Sequence, residues 1–192
     1  MLVSYPDVSK RILIDRTSRV RDVDMLQFLL SRGADPNADA DHFTAALEKA
    51  AWRGDVSIVK ELLDAGAQLE TRSALPDAAQ QGHSDLISYL LDRGAGIDEI
   101  PDNDSIAEHH KVQMKNALCA AALYGQSAVV ELLLRRGADS KVKDRNNRSA
   151  LDLAMSRGMD NGHDFSEYAP SPDYDGCIVI LQSIEVEGDG SA

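Results

Sequence analysis

The chain has 192 residues, 43% of them hydrophobic but only nine aromatic, and its 20 Lys and Arg face 32 Asp and Glu for a formal charge of −12. That is the length of one folded domain, richer in aliphatics than a disordered chain of this charge. No apolar run nears the roughly 18 residues of a membrane span, Met1 to Leu13 lacks the order of a signal peptide, and a pI near 4.7 opposes phosphate backbones, so neither membrane nor nucleic acid is expected as partner.

One pattern recurs along the chain: Leu, two Ala, a variable pair, Gly, two apolar pairs and a second Gly, at offsets −7, −4, −3, 0, +4, +5, +8, +9 and +12. The first unit, about 11–37, places Arg21 at the origin with Ile14, Met25, Leu26, Leu29, Leu30 and Gly33 in register, but Thr17 and Ser18 replace the alanines, as in an N-terminal cap. The second, about 44–70, has Leu47, Ala50, Ala51, Gly54, Ile58, Val59, Leu62, Leu63 and Gly66; the third, about 72–98, repeats these from Leu75 through Gly82 to Gly94. The fourth, about 115–141, runs from Leu118 through Gly125 to Gly137. In the fifth, about 148–183, Leu151, Ala154, Met155 and Gly158 keep register, and the second helix is delayed to about Cys177–Leu181. Acids and glycines from Ile184 onward (184–192) predict a disordered tail.

Apolar residues at three- and four-residue spacing predict two short helices per unit, with glycines at offsets 0 and +12 as left-handed C-caps. A unit this short cannot bury its own stripe, so the units must stack. The expected fold is all-α, a solenoid of about five helix-turn-helix units within 1–183, with degenerate caps and two insertions. GADPNADADHFTAALEKAAWRGDVSIVKELLDAGA resembles the ankyrin repeat, and the resemblance covers about residues 11 to 183. Its Thr-Pro-Leu-His turn is degraded to AALE, SALP, NALC and SALD, while Asn147 stands where the family has a finger glycine. Successive second glycines lie 33, 28 and 43 residues apart, so one finger is shortened and that over 98–115 enlarged, with five acids and two histidines. The other insertion, 159–176, falls between the helices of its own unit.

The resemblance implies a concave groove as the binding surface, lined by finger tips, first helices and the two residues before each inter-helix glycine. Here those residues include Trp52 with Arg53, Gln80 with Gln81, and Leu123 with Tyr124, and His42 and Phe43 add a finger. Trp, Tyr and Arg are the types enriched at binding hot spots. His109 and His110, beside Asp102, Asp104 and Glu108, are a poor metal pair because adjacent helical residues diverge by about 100°, and no metal or cofactor is assigned. Cys119 and Cys177 cannot form a disulfide framework, His83 reads as support for its turn, and Cys119 as a buried apolar group. With no phosphate loop, nucleophile elbow or zinc motif, no catalytic residue is assigned. The expected function is a monomeric, cytoplasmic protein-protein interaction module, a nuclear location staying open, whose partner presents a basic surface. The alternative is a small-molecule binder or small biosynthetic enzyme using 98–115 as lid and acid/base source.

Overall fold

The computed structural model describes residues 23–37, 46–69, 73–100, 116–159 and 172–188. Its helices are α1 (Val23–Ser31), α2 (Ala46–Arg53), α3 (Val56–Asp64), α4 (Ala74–Gln81), α5 (Ser84–Asp92), α6 (Ala117–Leu123), α7 (Ser127–Arg135), α8 (Ala150–Met159) and α9 (Tyr174–Gly188). No strand occurs among the described residues. The first helices of the units pack in one row, α2 on α4, α4 on α6 and α6 on α8, and α3, α5, α7 and α9 each fold back on the first helix of their own unit. The architecture is therefore the stacked all-α solenoid that the repeat pattern predicts.

Small side chains set the row's spacing. Ala51, Ala78, Ala79, Ala121, Ala122 and Ala154 are each fully buried, so adjacent helices meet on methyl groups while Leu47, Leu75 and Leu118 fill the space beside them. From the second row Val59, Leu62, Leu86, Ile87, Leu90, Val130 and Leu133 close the core. Burying each of these side chains stabilises the stack by about 2 kcal/mol. The core is continuous from unit to unit rather than centred on a point.

The second helices end in one repeated motif. After α5, Gly94 N donates to Leu91 O at 3.0 Å and Ala95 N to Leu90 O at 3.0 Å, with Gly94 at φ +94; this is the Schellman arrangement, which needs a residue tolerant of positive φ. Leu62/Ala67 and Leu133/Ala138 make the same outer bond at 2.9 and 3.0 Å. Arginines then tie the outer row together: Arg93 reaches Asp64 at 2.8 Å and Arg136 reaches Asp92 at 2.6 Å.

The fifth unit departs from its expected form in two respects. Gly158 lies inside α8, which runs on to Met159, so it does not end the helix as the offset-zero glycines of the other units do. Beyond the insertion, α9 begins at Tyr174 and continues to Gly188, past Ile184, where a disordered tail is expected. Cys177 and Leu181 anchor it in the core, at 0% and 2% exposure, and helix propagation past an anchored turn costs little.

Candidate partner-binding surface

The residues before each inter-helix glycine are held by the following unit. His83 Nε2 donates to the Trp52 carbonyl at 3.1 Å, and Gln126 Nε2 donates to the Gln80 carbonyl at 3.2 Å. Both donors come directly after their own unit's glycine, so one inter-unit clip recurs. The preceding glycine makes room for it: a Cβ on Gly54 would lie 2.6 Å from His83 Nδ1, and one on Gly82 2.5 Å from Gln126 Oε1. At the third junction Asp173 N donates to Gly125 O at 2.8 Å, and Pro172 occupies the space over Gly125. The 159–176 insertion thus returns the chain to the register that a direct turn would have given. Hydrogen bonds from Ser127 and the Gly176 amide hold the Asp173 carboxyl below the usual carboxylate range.

This clip presents some of the expected contact residues and hides others. Trp52 is 43% exposed at the end of α2, and Arg53, Gln81 and Tyr124 are partly exposed. Gln80 and Leu123 are only 8% exposed each, contrary to the expectation that this position faces away from the core throughout. The reason is their place in the row. Helix α6 is enclosed by α4, α8 and α7, and all seven of its residues are buried; α4 is likewise flanked by α2 and α6. His42 and Phe43 lie outside the described residues, as do His109, His110 and the enlarged finger from 101 to 115.

The first helices also carry polar groups that the sequence reading passed over. Glu48 is 2% exposed, and its Oε1 accepts from Ser73 N at 3.4 Å; Ser73 Oγ in turn donates to Asp77 Oδ2 at 2.8 Å. Burial pushes the Asp77 carboxyl from 3.8 up to about 7, opposed by the Ser73 hydrogen bond and aided by the Glu48 charge. Tyr124 stands near enough to Asp77 to sense it: burial raises its hydroxyl pKa first, Arg157 opposes, and Tyr174 and Asp77 add. A signal was present in the sequence, since Glu48 and Asp77 interrupt helices whose other inward positions are mostly Ala and Leu. At the N-cap of α6, Asn116 Oδ1 accepts from Cys119 N at 2.7 Å, the satisfied first-turn amide expected of this residue type.

Both cysteines are enclosed. Cys119 and Cys177 are both 0% exposed, and burial pushes the Cys177 thiol up to about 12, so Cys177 supplies no thiolate. A cavity of about 420 Å³ opens where α3 and α5 end, lined by Leu63, Leu69, Gln68 and Arg93 among others. Among the described residues Arg93 is its one ionisable lining group, and that guanidinium is engaged by Asp64. Among the described residues no group of three or more His, Cys, Asp or Glu could hold a metal ion, and no helix is long and apolar enough to cross a membrane.

Comparison with known proteins agrees with this geometry. The family pattern for ankyrin repeats, three copies, matches residues 16–104, and that for a single ankyrin repeat matches 115–145. Over 132 residues, 68% of the chain, it is 31% identical to the E3 ubiquitin-protein ligase KEG of Arabidopsis thaliana, and this stretch spans 6% of that protein.

Proposed function

From the premise that the chain belongs to the ankyrin repeat family, whose repeats are generally protein-interaction modules, we propose that it binds a protein partner non-enzymatically along the concave groove. Trp52 carries this reading: a large aromatic 43% exposed, on a backbone whose carbonyl is fixed by the next unit. A side chain on a preorganised backbone loses little ordering entropy on binding, and Trp is a frequent hot spot. Arg53, Gln81 and Tyr124 extend the contact, while Gln80 acts from below through the carbonyl that Gln126 holds and Leu123 from the buried end of α6. His42 and Phe43 are proposed as finger contacts. The ligase relative contributes no proposed activity, because the matched stretch spans 6% of that protein.

The net charge of −12 favours a partner whose groove-facing surface is basic, with association slowing as salt rises. The protein is proposed to act as a monomer in the cytoplasm. Affinity capture from the source cell, with Trp52→Ala/Tyr124→Ala as the paired control, tests the reading. A partner retained by the native chain should bind the variant at least about tenfold more weakly at unchanged helical content. Equal retention by both chains excludes this groove as the site.

A further inference from the structure

Charge is not spread evenly over this chain. Residues 135–148 carry six Lys or Arg and two Asp, whereas the rest carries 14 Lys or Arg and 30 Asp or Glu. This cationic stretch ends α7 and forms the finger leading to α8.

The finger is built rigidly. Asp144, 5% exposed, accepts at Oδ1 from Asn146 N at 2.8 Å and Arg148 N at 2.9 Å, and at Oδ2 from Arg148 Nε at 3.0 Å. Asp144 N donates to Arg148 O at 2.9 Å, and Asn147 turns the chain at φ +60. At the base Lys141 N donates to Asp139 Oδ1 at 2.8 Å, and Asp139 N to Asp98 Oδ1 of the preceding unit at 3.1 Å. Half-buried Val142 sets its carbonyl 3.9 Å from Cys119 Sγ, and Lys141 and Lys143 stand exposed on either side of it. Neither lysine is ion-paired among the described residues; Asp152, near Lys143, is held chiefly by Ser149. Arg145 is exposed beside them.

We propose that this finger binds an acidic, Asp/Glu-rich segment of the protein partner through Lys141, Lys143 and Arg145. The proposal deepens the binding-module reading and rests on it. The finger lies near the groove: the Val142 carbonyl stands 3.9 Å from Cys119 Sγ, and Tyr124, at the C-cap of α6, follows five residues later, about 7.5 Å along the helix axis. The patch is local, and Asp98, Asp139 and Asp152 stand beside it. A duplex with one charge per ~1.7 Å of axis would run beyond the lysines onto acidic flanks, whereas a short acidic peptide segment would not. The sign is opposite to that expected from net charge alone, so it also predicts a partner of mixed charge.

The test uses the full chain and fluorescein-labelled hexaglutamate, with labelled hexathymidylate and hexalysine as controls, followed by anisotropy at low and physiological salt. Saturable hexaglutamate binding is expected, weakened at least about tenfold by Lys141→Glu/Lys143→Glu and retained by Lys141→Arg/Lys143→Arg. Trp52→Ala/Tyr124→Ala should leave it within about twofold, since those residues read the groove and not the finger. Circular dichroism of each variant excludes misfolding. Absence of saturable hexaglutamate binding, or indifference to charge reversal, overturns the proposal. Tighter hexathymidylate binding replaces it by a nucleic-acid site, and self-association abolished by charge reversal replaces the partner by a second copy. Loss of captured partner on groove substitution without any hexaglutamate binding sinks this proposal and leaves the groove reading standing.

Discussion

Asp77→Asn should leave stability unchanged below about pH 4 and stabilise the protein progressively as pH rises from there through neutrality. The substitution removes the charge but keeps an oxygen to accept from Ser73 Oγ, 2.8 Å away in the native chain. Because burial raises the Asp77 carboxyl from 3.8 to about 7, the folded state holds this proton more tightly than the unfolded state does. Its contribution to stability is therefore full below about pH 4 and is lost as pH rises through about 7. At about 1.4 kcal/mol per pH unit, the rise from 3.8 to about 7 sets a ceiling of about 4 kcal/mol. Water penetration and relaxation around the ionised form reduce this, so a gain of about 2 kcal/mol for the variant near pH 8 is expected. Urea unfolding followed by far-UV circular dichroism from about pH 5 to pH 8 measures it, and subtracting the native curve cancels every group titrating alike in both chains. A difference that stays constant across the range, or a variant less stable at pH 8, refutes the reasoning.

Glycine substitutions separate the clip from the helix cap. Gly82→Ala meets both φ +80 and Gln126 Oε1 at 2.5 Å, whereas Gly94→Ala meets φ +94 with nothing within 4 Å; the first should cost about 3 kcal/mol and the second about 1 kcal/mol, read from urea midpoints. Gln126→Ala should lower stability by about 1 kcal/mol by releasing the Gln80 carbonyl, and should add less than its full cost to Gly82→Ala in a double-mutant cycle. For Asp144 burial alone would raise the pKa, but the Arg148 and Asn146 hydrogen bonds outweigh it and lower it. Its stabilising effect is thus present above the unfolded pKa and lost as pH falls through the depressed folded one; Asp144→Asn should cost about 2 kcal/mol at neutral pH and correspondingly less in strong acid. Arg136 and Asp92 are 37% and 64% exposed, so a double-mutant cycle on this pair should return less than about 1 kcal/mol.

Much of the architecture was legible in the sequence because its cause is periodic. Helix stripes, alanine contacts and paired glycines depend on spacing along the chain, and the same offsets place Leu47, Leu75 and Leu118 in equivalent buried positions. Even Asn147 at the finger turn takes the positive φ that its residue type tolerates. The fifth unit was harder to read, because Gly158 follows the pattern in sequence but sits within a helix. A glycine permits a left-handed cap and does not impose one; in units two to four the neighbour that docks against the turn completes it.

Which candidate contacts reach the surface could not be read from offsets alone. Trp52, Gln80 and Leu123 share one repeat position, yet the first is 43% exposed and the others 8%. Exposure depends on side-chain size and on the helices flanking each unit, a relation between residues distant in sequence. The same holds for Asp77, whose raised pKa comes from enclosure beside Ser73 and Glu48, and for Pro172 and Asp173, which restore the register over Gly125 after the insertion. The sequence by itself determined the unit, its helices and the inward stripe, because these follow from local geometry repeated along the chain. Tertiary structure decided which polar groups are enclosed and which aromatics face outward, because burial is set by the neighbouring units and not by the residue's own position in the repeat.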